Sequence, residues 1–111
     1  MVVRSWTEDP CTVVRVSGEL DMTGAPRLRA ILERASAGNL VIDLTEVPFC
    51  DSVGLGVLVE TLNRIRSAGG RLILVVSPGM IANLLVITNL DQHFDTRASM
   101  DEALAAMPHP S

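Results

Sequence analysis

Leu40 to Leu44 and Leu72 to Val76 are apolar runs of mostly branched side chains, broken only by Asp43, and between them lies a stretch whose apolar residues fall at helical spacing. This arrangement constrains the fold more than any other feature of the chain. A short run without alternation fits a strand buried on both faces. Two such strands joined by a helix make a βαβ unit, with parallel strands and a right-handed connection. The helical stretch carries Leu55, Leu58, Val59, Leu62 and Ile65 on one face and Glu60, Asn63, Arg64 and Arg66 on the other, and it stops at Ala68-Gly69-Gly70. Glu60 and Arg64 stand four apart in the favourable order, an expected pair worth about 0.2–0.5 kcal/mol.

The corner between the first strand and this helix is polar. Pro48 has no N–H for a ladder, so the chain beyond Glu46 cannot continue as a central strand. Asp51 or Ser52 is then the natural N-cap, because either side-chain oxygen can accept from the unpaired amides of the first turn. Ser52 therefore lies at the positive end of a helix, where a phosphate would be favoured. On geometry alone an Asp-Ser corner is a cap and nothing more. Gly54 and Gly56 add to this, since each costs roughly 1 kcal/mol inside a helix and points to close approach by another backbone or a partner.

The remaining chain supplies flanking elements. Val2 to Trp6 and Thr12 to Val16, separated by Glu8-Asp9-Pro10, predict a β-hairpin. A helix follows, with Thr23 as its expected N-cap, Pro26 in the first turn, Leu28, Ile31, Leu32 and Ala35 inward, and Gly38 as its stop. Ser77 and Pro78 are the expected N-cap and first residue of a third helix. Its inward stripe is Ile81, Leu84, Leu85 and Thr88, yet Met80, Val86 and Ile87 are apolar outside that stripe. Either the helix is unusually buried or it shows an apolar patch to a partner, and we expect the patch. His93 to Thr96 predicts a short edge strand. Ser99 with Glu102 forms a capping box that opens a final helix ending before Pro108.

Composition narrows the function. A 111-residue chain with 48% hydrophobic and 20% charged residues is one globular domain, and a net charge of −4 without a basic segment argues against direct nucleic-acid binding. Met1 to Pro10 lacks the apolar core of a signal peptide, and Met80 to Leu90 is too short and too polar to span a bilayer, so a soluble intracellular protein is expected. Cys11 and Cys50 have no CxxC spacing and are expected as buried thiols. No catalytic residue is assigned, because Ser52 is not in a G-x-S-x-G elbow and only His93 and His109 could serve as base. The scattered Cys and His residues do not make a metal site. Asp21, Asp43 and Asp51 could gather at one end of the sheet, where capping explains them better than a cation does.

Asp51-Ser52-Val53-Gly54-Leu55-Gly56, preceded by Phe49, resembles the D-S-[ST]-G-L-G signature of STAS domains of the bacterial anti-sigma factor antagonist type. Gly18-Glu19-Leu20-Asp21, followed by Pro26 and Leu28, resembles the G-E-L-D segment that this family places beside the signature. The resemblance covers nearly the whole chain, with residues 1–107 as the STAS domain and 108–111 as a tail. It implies a single α/β domain, a mixed sheet with helices in the order ββαβαβαβα, the same order that the pattern of elements gives. It also implies a regulatory binding protein without cofactor, not an enzyme. Ser52 aligns with the phosphorylated hydroxyl, while Val53 replaces the second hydroxyl of the signature.

The implied partner is an anti-sigma factor that is also a serine kinase, using ATP and Mg²⁺, with a metal-dependent serine phosphatase to reset the cycle in the cytoplasm. Asp21, Asp51, Ser52, Val53, Gly54, Leu55 and Gly56, together with Met80, Val86 and Ile87, are the expected partner-binding residues. A STAS scaffold or transport-associated subunit that uses the same surface without phosphorylation is the alternative. A nucleotide-binding module has only Asp21, Asp51 and the helix N-terminus in its favour.

Overall fold

Alternation along the strands decides which side chains meet. The computed structural model describes residues 1–35 and 38–108. Over these residues the chain runs β1 (Val2–Glu8), β2 (Cys11–Ser17), α1 (Ala25–Ala35), β3 (Asn39–Glu46), α2 (Ser52–Ser67), β4 (Leu72–Val75), α3 (Met80–Ile87), β5 (Asp95–Arg97) and α4 (Met100–Ala106), with a 3-10 turn at Leu90–Gln92 before β5. The sheet order is β1-β2-β3-β4-β5. β1 and β2 are antiparallel, and β2 to β5 are parallel neighbours. This is a single α/β domain with a mixed sheet, in the expected order.

Because side chains alternate across a strand, Leu40, Ile42 and Leu44 of β3 join Val14, Val16, Leu72 and Leu74 under α1, α2 and α3. Val41 points the other way, into a smaller core with Val13, Ile73, Val75, Ala103 of α4 and Met107 at the end of that helix. The central strand is thus buried on both faces, as its apolar run, broken only by Asp43, predicts. Asp43 shares the α4 face, where it is 4% exposed. Its carboxylate is satisfied by Arg15 Nε at 3.0 Å and by the amide and hydroxyl of Thr45 at 2.9 and 2.7 Å. It is structural and stands apart from Asp21 and Asp51. Among the described residues no group of three His, Cys, Asp or Glu could hold a metal ion.

Several local expectations are corrected. Thr23 does not cap α1; Asp21 instead closes the turn that leads into it, its Oδ1 accepting from the amides of Thr23 and Gly24 at 3.0 and 3.2 Å. α3 begins at Met80 behind Gly79, whose φ of 149° suits glycine and displaces Ser77 and Pro78 from the helix start. Thr88 is exposed instead of inward, and its hydroxyl donates to the Leu84 carbonyl at 2.7 Å. Glu60 and Arg64 do not pair. Glu60 binds Arg29 of α1 at 3.0 and 3.3 Å, and Arg64 donates to the Leu32 carbonyl, so both side chains bridge α1 and α2. β4 ends at Val75, and the edge strand falls on Asp95–Arg97, later than the expected His93 to Thr96. Ser99 caps α4 through the Glu102 amide as predicted. No described helix is long and apolar enough to cross a membrane. Of the tail 108–111, only Pro108 falls within the described residues, so His109 lies outside them.

Candidate functional site

The β3–α2 corner is held against the loop that leaves β2. The Leu20 amide donates to the Phe49 carbonyl at 2.9 Å, and the Asp51 amide donates to the Leu20 carbonyl at 3.1 Å. Leu20 and Cys50 thereby form an isolated parallel bridge, and both side chains are buried. The two segments picked out by sequence are thus joined through backbone hydrogen bonds.

Asp51 is the clasp. It sits at the N-cap of α2 in an extended conformation, and its Oδ1 accepts from the Gly54 amide at 2.9 Å. Its Oδ2 accepts from the Met22 amide at 3.0 Å, which ties the neighbouring loop to the helix entrance. The cap is therefore Asp51, and Ser52 is the first residue of the helix, exposed to solvent. The Asp51 carbonyl takes the Leu55 amide at 2.9 Å. The amides of Ser52 and Val53 have no acceptor within the helix.

The two glycines of this turn do different work. A Cβ on Gly54 would lie 2.5 Å from the Leu20 carbonyl oxygen and 3.2 Å from the Cys50 sulfur. Its close approach is made by the protein's own loop. A Cβ on Gly56 would meet nothing within 4 Å, so this glycine leaves open space beside the corner. Cys50 itself is sealed in: burial, with the Asp51 carboxylate adding to it, pushes the thiol from 9.0 up to about 11. Burial, then Glu8 and Asp9, also raises the Cys11 thiol, and both cysteines are free.

Asp21, Asp51, Ser52, Val53, Gly54 and Leu55 come together at this corner, with Gly56 at its margin. Met80, Val86 and Ile87 do not join it through any described hydrogen bond. They are exposed along α3, at 38%, 62% and 80%, while Ile81 and Leu85 anchor that helix in the core. Two exposed apolar residues of the corner are new: Met22, held by Asp51, and Phe49. Phe49 had a signal, a large apolar side chain in a turn after proline. Met22 had none, because its position depends on a hydrogen bond from a residue 29 places away. Beside the corner an open cleft of about 530 Å³ is lined by Met1, Glu19, Asp21, Thr23, Gly24 and Arg27.

Comparison with known proteins identifies the family. A family model for the STAS domain matches residues 5–103. The anti-sigma-B factor antagonist of Bacillus subtilis (strain 168) is 36% identical over 90 residues, covering 79% of this chain and 83% of that protein. That of Listeria monocytogenes is 37% identical over 78 residues, 68% of each chain. A crystal structure of an anti-sigma factor antagonist from Mycobacterium paratuberculosis aligns with a TM-score of 0.88 at 33% identity, covering 96% of this chain and 92% of that one. The chain belongs to the STAS domain family, among the anti-sigma factor antagonists.

Proposed function

We propose that this protein acts by partner switching in the cytoplasm. In its unmodified form it binds an anti-sigma factor serine kinase and frees the sigma factor; phosphorylation of Ser52 by that kinase, with Mg²⁺ and ATP, releases the complex. A metal-dependent serine phosphatase resets it. The observation that carries this reading is the exposed Ser52 hydroxyl at the mouth of α2, rimmed by Met22, Phe49 and Val53 on a corner already fixed by Asp51.

Such a corner accommodates both states. Exposed apolar side chains on a hydrogen-bonded frame give a partner contact area with little ordering cost. Phosphorylation adds about −1.5 to −2 charges beside Asp51, which places repulsion and desolvation in any interface closed over Ser52. In the free protein the same phosphate faces the amides of Ser52 and Val53 at a helix N-terminus, a favourable site. The domain therefore keeps its fold while its surface changes.

The test is capture from source-cell lysate with Mg-ATP on immobilised wild-type, Ser52→Ala and Ser52→Asp proteins. The reading expects a kinase retained by the alanine form and lost from the aspartate form, with phosphate on wild-type Ser52. Equal capture by all three, with Ser52 unmodified, would contradict it and favour a scaffold role.

A further inference from the structure

The sheet ends on one side in β5, three residues long, and on the other in β1, seven residues long and paired to β2 without a break in register from Val2 opposite Ser17 to Glu8 opposite Cys11. A long edge strand is a template for another strand unless something blocks it. β1 contains no proline, and its charges are of opposite sign, Arg4 and Glu8. Val2, Arg4, Trp6 and Glu8 share one face of the strand by alternation.

Arg4 is the unsettled charge of this edge. Directly opposite it across the sheet stands Arg15, a like charge, which is destabilising at such a position. Arg15 has its own compensation, an ion pair to Asp43 at 3.0 Å and the Trp6 ring beneath its guanidinium at 5.2 Å. Arg4 is exposed and is in no ion pair among the described residues. Glu8, four residues on, is exposed, and one of its oxygens accepts from Trp6 Nε1 at 3.2 Å.

We propose that β1 pairs with β1 of a second copy, antiparallel and centred on Trp6, to make a symmetric dimer. In that register Arg4 of each chain stands opposite Glu8 of the other, and the two Trp6 side chains meet at the two-fold axis. The interface is self-complementary, as a two-fold contact must be. Other registers fail. Centring on Ser5 sets Arg4 against Trp6 and Glu8 against Val2, and centring on Thr7 sets Arg4 against Pro10, so neither pairs the charges. The segment Arg4 to Glu8 lies along Cys11 to Arg15 of β2, at the opposite end from Ser17 and Gly18, which lead into the Ser52 corner. The dimer leaves both corners open, so one assembly presents two switch sites.

Sedimentation across a concentration series, with circular dichroism to verify the fold, tests this on wild type, Arg4→Glu, Glu8→Arg and the double reversal. Wild type is expected to dimerise, each single reversal to weaken the dimer about tenfold or more, and the double reversal to restore it. Trp6 is the only tryptophan, so its emission should shift with dimerisation. A wild-type monomer at every soluble concentration, a dimer indifferent to the single reversals, or a double reversal that does not restore it would overturn the proposal.

Discussion

Two corners leave the same end of the sheet, β3 into α2 and β4 into α3, and they are built in opposite ways. At the first, Asp51 accepts two backbone amides with its two carboxylate oxygens, and Leu20 closes the loop with two more backbone bonds. At the second, Gly79 occupies the N-cap with no side-chain hydrogen bond, and the helix behind it exposes Met80, Val86 and Ile87. The first corner presents an exposed hydroxyl on a hydrogen-bonded backbone; the second presents apolar side chains behind a glycine without a side-chain cap. Under the proposed partner switch, the first corner carries the hydroxyl to be modified and the second offers contact area.

Substitutions can break or sharpen this contrast. On α3 the buried and exposed apolar residues should separate most widely: Leu85→Ala is expected to cost about 2–5 kcal/mol in denaturant unfolding, and Ile87→Ser less than about 0.5. If Ile87→Ser costs as much as Leu85→Ala, α3 does not offer a free surface. At the first corner Gly54→Ala forces a Cβ against the Leu20 backbone and is expected to destabilise by about 1–3 kcal/mol. Gly56→Ala, with open space around it, should stabilise by up to about 1 kcal/mol. Equal melting temperatures for the two alanine variants would remove the close approach of Leu20.

A smaller effect compares the caps. Asp51→Ala is expected to cost about 1–2 kcal/mol, and Ser77→Ala less than about 0.5, because only the first residue bonds a helix entrance. A separate effect appears in alkali. Cys50 ionises at about 11 in the fold against 9.0 for an unburied thiol, so its contribution is complete below pH 9 and is lost as pH rises towards 11. The chain has neither lysine nor tyrosine, so the thiols dominate titration in this window. Stability measured from pH 8.5 to 11 should fall by about 2 kcal/mol, and Cys50→Ala should remove the larger part of that fall.

Much of this was legible in sequence where one residue's neighbours in the chain decide its role. The apolar run Leu40 to Leu44, with Asp43 its one polar residue, marked the central strand, Pro48 its end, and Ser99 with Glu102 the start of α4. Asp51 and Ser52 were found as a pair, but which one caps could not be told apart, because both side chains can reach the first turn. What failed depended on distant partners. Glu60 and Arg64 look like a pair along one helix, and only the packing of α1 against α2 sends them to Arg29 and Leu32. Gly54 and Gly56 look alike in sequence and differ because Leu20 lies over one of them. Thr23 and Ser77 are sound caps by residue type, displaced by the turn that Asp21 closes and by the backbone of Gly79.

The most direct test of the central claim is the affinity of the captured anti-sigma factor kinase for the unmodified protein and for the protein phosphorylated on Ser52, measured by calorimetry alongside thermal unfolding. The account predicts a loss of affinity approaching about 10⁴-fold, the amount that carries a two-state equilibrium from nearly all bound to nearly all free, with the phosphorylated domain still folded. Equal affinity for both forms, or a loss that merely follows unfolding of the phosphorylated chain, would contradict it.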